Sequence, residues 1–336
     1  MNLLFSCIGK RGYIADYFRP HLPLGSRIVA TSNTPATPGF LSCDSAVLMP
    51  DIKSNQYVDA LLALCRQEAA QGLLSFFDPD VMALSAHLAD FRAVGVVPIL
   101  PSKVQARIAF DKLETYRFLT LNGIETPKTF ADLPTAIKAL EEGSITLPVY
   151  VKPRFGFGSR HHFVAGDINQ LRAFFGAKEH MIMQERILGD EYNIDMCSDL
   201  DGQVLAVVPW RKYLSRMGET EHAVTCEYPE LLELGVNLGK LTGHPGPLDA
   251  DLIVRDGRVW VLELNIRFGG GYPVSHLAGA DFPGLLVQML RGRRPRPEIG
   301  NYRRDVVMMK KLVPFGGHTP GFTKEQLHVQ RSMRTA

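Results

Sequence analysis

Glu263, Asn265 and Arg267 stand at every second position of WVLELNIRFGGG, residues 260–271. Side chains at that spacing leave one face of an extended strand. Two oxygen donors followed by a guanidinium suit a divalent cation and the oxyanions it would hold. Trp260, Leu262, Leu264, Ile266 and Phe268 alternate with them and are expected to pack on the opposite face, leaving Val261 on the polar side.

A second strand, Leu248–Arg255, is expected to complete the row across the Asp256-Gly257 turn. A two-residue turn would pair Arg255 with Arg258 and Asp251 with Leu262, sending Asp251 and Glu263 to opposite faces. A three-residue loop with Gly257 left-handed shifts the pairing by one. Asp251 then faces Val261 and lies diagonal to Glu263, roughly 7–8 Å away. One or two Mg²⁺ ions with bonds of ~2.1 Å span such a gap. This bulged register is the expectation. It places Asp249 opposite Glu263 as a rival ligand.

Other segments suit a phosphorylated ligand. In YVKPRFGFGSR, Lys152 ends a strand, and Gly156 and Gly158 punctuate a loop that also carries Ser159. Glycines let backbone N–H groups approach phosphate oxygens, and a lysine adds a point charge. The string is neither GxxxxGK[ST] nor GxGxxG. Lys112 lies on an expected helix. In MQERILGDEYNID, Glu185, the Arg186–Ile187 backbone and Glu191 offer acceptors and donors for a base and a ribose.

The elements that must position these groups begin with an alternation of strand and helix. Residues 2–8, 27–31 and 72–76 read as strands, and 12–18, 57–70 and 80–94 as helices. That pattern implies a parallel α/β sheet. Helices are expected at 111–121, 134–142, 168–175, 229–241 and 282–291, and strands at 147–152, 181–185 and 306–313. A hairpin is expected from 191–199 and 204–208. Residues 210–225 read as a loop.

At 336 residues the chain is expected to form two or three domains. Composition is ordinary, with 46% hydrophobic and 21% charged residues, and the net charge of +2 gives no case for nucleic acid or an anionic membrane. Five scattered cysteines without a CxxC pair point to a reducing cytoplasm, not to a disulfide framework or a zinc site. Neither a signal peptide nor an apolar run long enough to span a membrane is evident.

In order, DKLETYRFLTLNGIETPKTF, YVKPRFGFGSR, QERILGDEYNID and DADLIVRDGRVWVLELNIRFGGG resemble the ATP-grasp superfamily, in particular its carboxylate–amine ligase and carbamoyl-phosphate-synthase-like branch. The resemblance implies a mixed α/β and α+β fold. A Rossmann-like domain would occupy 1–104, a helix and lid subdomain 105–185, a larger antiparallel-sheet subdomain with the Mg site 186–295, and a C-terminal strand and tail 296–336. It implies that Lys112 and Lys152 hold ATP phosphates under a lid formed by 155–159. Glu185 and the Arg186–Ile187 backbone would bind adenine, and Glu191 the ribose. Asp251, Glu263 and Asn265 would ligate Mg²⁺, with Mn²⁺ as a substitute, and Arg267 would stabilise the phosphoryl group in transfer. Asp251 stands where many relatives have Glu or Gln, and Ile266 where many have proline.

The activity so implied is ATP-dependent activation of a small carboxylate as an acyl phosphate, followed by attack of an amine or thiol. The partners expected are small-molecule carboxylate and amine substrates, and a second copy in a homodimer. Arg216 is a candidate for a substrate carboxylate, Glu219 for an amino group and Ser275, at an expected helix start, for the acceptor. His276 reads as a packing residue. Nothing in the spacing supports Lys310 or Lys311 as site residues. A biotin-carboxylase-like enzyme and a non-catalytic nucleotide-binding relative are the alternatives. A dinucleotide oxidoreductase is disfavoured because CIGKRG, residues 7–12, lacks GxGxxG.

Overall fold

Short apolar strands separated by helices cannot pair as hairpins, so the N-terminal hundred residues must form a parallel sheet. The computed structural model of the chain describes residues 1–156, 161–216 and 219–313. Strands β1 (Asn2–Ser6), β2 (Arg27–Ser32), β3 (Ser45–Leu48), β4 (Ala70–Ser75) and β5 (Val97–Pro98) form a parallel sheet in the order β3-β2-β1-β4-β5. Helices α1 (Gly12–Phe18), α2 (Tyr57–Gln67), α3 (Asp78–Leu84) and α4 (Leu88–Ala93) connect them. The single helix expected over 80–94 is two. The Ser85 hydroxyl donates to the Met82 carbonyl at the break, a local bond that competes with helix continuation.

Helices α5 (Lys103–Phe110) and α6 (Lys112–Leu121) follow. The first escaped the sequence reading, although Ser102 and Gln105 cap it reciprocally, and the expected boundary at 104/105 falls inside it. A four-stranded antiparallel sheet comes next, in the order β6-β9-β7-β8: β6 (Thr129–Phe130), β7 (Val149–Pro153), β8 (Phe163–Ala165) and β9 (Met181–Gln184). Helices α7 (Leu133–Glu141) and α8 (Ile168–Gly176) share its apolar core.

The third sheet has six strands: β10 (Asp190–Ser198), β11 (Val204–Arg216), β12 (Glu219–Thr225), β13 (Gly246–Arg255), β14 (Arg258–Asn265) and β15 (Val307–Met309), ordered β14-β13-β10-β11-β12-β15. Residues 210–225, expected as a loop, are mostly the paired strands β11 and β12. The strand expected over 306–313 is shorter and pairs with β12. Helices α9 (Pro229–Thr242), α10 (Pro273–Leu277) and α11 (Phe282–Leu290) are the remaining helices among the described residues. Leu119, Leu231 and Leu238 bury against Ile194, Val207 and Leu264 of this sheet. Phe5, Phe18 and Leu74 of the N-terminal unit share another core with Leu205, Phe268 and Leu286, so the parallel and six-stranded sheets have a common interior.

The β13–β14 register differs from the expected one. Asp256 and Gly257 both have positive φ, 52° and 75°, and Arg255 pairs with Arg258, the signature of a two-residue turn. The extra residue sits inside β14. Leu252 pairs with Val261 and Asp251 with Glu263, leaving Leu262 as a bulge. The bulge reverses the alternation upstream of Glu263. Val261 joins Leu264 and Ile266 in the core, while Leu262 lines a cleft beside Glu263.

Candidate functional site

A cleft of about 400 Å³ opens between the three sheets. The six-stranded sheet floors it with Glu191, Asn193, Lys212, Asp249, Asp251, Glu263 and Asn265, and Arg267 follows two residues past β14; the four-stranded sheet and its link contribute Tyr150, Lys152, Gln184, Glu185 and Ile187. Lys112, Gly156 and His162 also line it, with Arg11 and Asp78 from the N-terminal unit.

Asp251 lies directly across from Glu263, and Asp249 across from Asn265. The Asn193 amide donates to Asp249 and Asp251, at 2.9 Å each. The Asn265 amide reaches the other oxygens of the same two aspartates, at 3.1 and 3.0 Å. Burial, then repulsion from Asp251, pushes the Asp249 carboxyl up to about 7. Asn193 Oδ1 is buried without a hydrogen-bond partner among the described residues.

Lys112 and Lys152 converge on one oxygen of Glu263, with Nζ–Oε1 distances of 3.2 and 3.6 Å. Burial raises the Glu263 carboxyl pKa, but the two ammonium groups outweigh it and hold the group at about 2. Burial, with repulsion from Lys112, lowers the Lys152 pKa despite its attraction to Glu263. Lys112 also donates to the Gly156 carbonyl at 3.0 Å. Lys212 bonds Asp251 at 2.8 Å and lies 3.6 Å from Glu191. His162 is exposed at the cleft edge, and partial desolvation there, with repulsion from Lys152, lowers its pKa.

The donor set fits a hard divalent cation: Asp251, Glu263 and Asn265 present oxygen chemistry, and Asn193 has an oxygen to spare. Among the described residues no three His, Cys, Asp or Glu side chains form a metal cage. An ion here would therefore draw further oxygens from a ligand or water.

Arg267 bonds Asp78 through Nη2 at 2.9 Å and reaches Asn265 Oδ1 at 3.2 Å. The three glycines that follow are explained by close approach. A Cβ at Gly269 would lie 2.8 Å from Asp249, one at Gly270 2.6 Å from Glu219, and one at Gly271 2.2 Å from the Trp210 ring.

Other expected residues fall differently. Glu185 accepts from the Lys128 backbone N–H at 3.2 Å, and Ile187 is buried at the cleft wall. The Arg186 guanidinium turns onto the Tyr150 ring, 5.8 Å from its centre. Gly158 and Ser159 lie outside the described residues. Arg216 does not line the cleft; its side chain is 66% exposed and pairs with Glu221. Ser275 is fully buried and donates to Asp195, which also accepts from Trp210 Nε1. Its hydroxyl faces the interior, and Ser275 is not among the residues lining the cleft. Glu219 sits behind Gly270, 3.6 Å from Arg11 and 3.2 Å from Lys310.

Asn193, Arg11, Asp78 and His162 were missed, Lys212 was given no role of its own, and Lys310 was set aside for want of a spacing signal. Glu191, Asn193 and Asp195 share the period-two spacing of the 263–267 row, a signal available in the sequence. Arg11 and Asp78 follow β1 and β4, where the strand order reverses. Ligands gather at that kind of crevice in open parallel sheets.

These three sheets around one charged cleft are the ATP-grasp architecture behind a Rossmann-like unit. Residues 3–99 match the family described as PylC-like, N-terminal domain, and residues 177–311 the family described as ATP-grasp in the biosynthetic pathway with Ter operon. The chain belongs to the ATP-grasp superfamily. It is 24% identical over 188 residues to the carbamoyl phosphate synthase large chain of Gemmatimonas aurantiaca, covering 51% of this chain but only 17% of that protein. Its fold resembles the biotin carboxylase domain of the Hydrogenobacter thermophilus 2-oxoglutarate carboxylase, solved as a dimer with MgADP and bicarbonate. The TM-score is 0.75 at 15% identity, over 91% of this chain and 73% of the other. The L-amino acid ligase of Bacillus licheniformis gives 0.64 at 19% identity, over 86% and 74%. Among the described residues no helix is long and apolar enough to cross a membrane.

Proposed function

We propose that the chain is an ADP-forming ligase. It would bind ATP in the cleft, activate a small carboxylic acid or amino acid as an acyl phosphate, and join it to a nucleophile, usually an amine. The observation that carries this reading is the convergence of Lys112 and Lys152 on Glu263, directly across from Asp251. Two cations facing a row of oxygen donors form the two walls that a triphosphate needs.

In this reading Lys112 and Lys152 move from Glu263 to phosphate oxygens when the nucleotide enters. Asp251, Glu263 and Asn265 would then hold Mg²⁺, or Mn²⁺ in its place, which neutralises phosphate charge. Glu185 and the 186–187 backbone take the adenine and Glu191 the ribose. Gly156, with Gly158 and Ser159, belongs to the lid. Arg267, held by Asp78, stabilises charge on the phosphoryl group in transfer. A carboxylate oxygen attacks the γ-phosphorus and ADP departs. The amine then attacks the acyl carbon, phosphate leaves and the amine gives up a proton. The proposed units are 1–104, 105–185, 186–295 and 296–336, and a homodimer belongs to the same proposal.

The test is an ADP-release screen with MgATP, the common amino acids singly and in pairs, small carboxylic acids and bicarbonate, with products read by mass spectrometry. Acid-dependent ADP release and a condensed product are expected. ADP binding without release across the whole panel would favour a non-catalytic relative.

A further inference from the structure

The turn CIGKRG, which fits no dinucleotide motif, delivers Arg11 to the cleft wall. Arg11 Nη1 donates to the carbonyls of Phe76 and Phe268, at 3.1 and 2.9 Å. Arg267 Nη1 donates to the same Phe268 carbonyl, also at 2.9 Å. One oxygen therefore holds two guanidinium groups side by side. Like charges are not brought together in a half-buried place without a counterion.

The local carboxylates do not balance them. Asp78 engages Arg267 and leaves Arg11 to Glu219 at 3.6 Å. Glu219 is shared with Lys310, which also donates to the Gly270 carbonyl at 2.7 Å. At ion-pair distance three cations thus face two carboxylates, Asp78 and Glu219, with Asp249 and Glu221 acting from farther off. The Tyr13 hydroxyl, close enough to feel both Arg11 and Glu219, is buried with no hydrogen-bond partner among the described residues. Gly270 lines the cleft and has no side chain to fill the space before Glu219.

We propose that Arg11 and Arg267 together seat the carboxylate that is to be phosphorylated, with Lys310 and Glu219 setting the charge of the seat. A planar two-oxygen anion matches two adjacent guanidinium forks. The proposal rests on the ligase reading and deepens it. It moves the acid-binding role from Arg216 to Arg11, and it assigns a substrate contact to the N-terminal unit.

The test is calorimetric and separates the two readings. MgADP is titrated into the whole chain first; binding there supports the nucleotide cleft on its own. Acetate, succinate, L-alanine and inorganic phosphate are then titrated into the MgADP complex. At least one carboxylate is expected to bind, and Arg11→Met to weaken it at least tenfold with MgADP affinity changed less than twofold. Lys310→Met, which leaves the backbone bonds of Arg11 in place, is expected to weaken it by a smaller factor. A complex that binds MgADP but no carboxylate, or phosphate alone, overturns the seat and leaves the nucleotide reading standing. So does an Arg11→Met variant that keeps full carboxylate affinity, or one that loses MgADP in parallel.

Discussion

Arg154 grips Asp111 with two nitrogens, Nε and Nη2, each 2.6 Å from a different carboxylate oxygen. Asp111 also caps α6 by accepting from the Leu113 N–H, and the Lys112 N–H donates to the Arg154 carbonyl. The pair thus staples the start of α6 to the end of β7 and aims Lys112 at the cleft. Arg154→Ala is expected to lower MgADP affinity roughly tenfold, about 1.4 kcal/mol, while the melting temperature falls by only a few degrees. Calorimetry and a thermal melt check this; unchanged affinity would show that Lys112 is placed without the staple.

Glu263→Gln and Lys152→Ala are each expected to cut ADP formation at least ~100-fold with the circular dichroism spectrum unchanged. Glu263 is ionised throughout the usual pH range, since its carboxyl is held at about 2. Substitution by the amide therefore removes a full charge between two ammonium groups. Full activity of Glu263→Gln at saturating Mg²⁺ would remove this residue from the proposed metal set.

Gly271→Ala asks for a methyl group 2.2 Å from the buried Trp210 ring. Trp210 is fixed by its bond to Asp195 and has little room to retreat. Overpacking of this sort costs about 1–3 kcal/mol. Urea denaturation is the measurement, and a loss below about 0.5 kcal/mol would mean that the ring moves freely.

His244 is buried, and burial pushes its pKa from 6.5 down to about 3. Its Nε2 donates to the Pro247 carbonyl, and among the described residues Nδ1 has no partner to receive a second proton's charge. Between those two values the unfolded chain binds a proton and the folded chain does not. Stability is then lost as pH falls, by about 1.4 kcal/mol per unit for this group. His244→Gln should flatten the slope of unfolding free energy between pH 6 and pH 4 relative to the parent protein. Parallel slopes in urea titrations would contradict the burial argument.

Much of the fold was legible because its periodicities are local. The strand–helix alternation of the first hundred residues and the Asn122-Gly123 stop that ends α6 needed no tertiary knowledge. The 263–267 row was legible for the same reason. What failed depended on partners. Nothing in WVLEL marks Leu262 as a bulge, because both registers bury some apolar residues; pairing with β13 decides it. Residues 210–225 looked like a loop because their charged side chains face a cleft and solvent. Arg11 and Lys310 lie 299 positions apart in the chain, and they meet through shared neighbours, Glu219 and the Tyr13 ring among them.

The interior shared by Phe5, Phe18, Leu205, Phe268 and Leu286 has a practical outcome. A cut after residue 100 would leave each fragment with half of an apolar seam exposed to water. Neither fragment should stay monodisperse by itself. Co-expressed, the two should find each other and rebuild the cleft, because Arg11 on one fragment still meets the Phe268 carbonyl on the other.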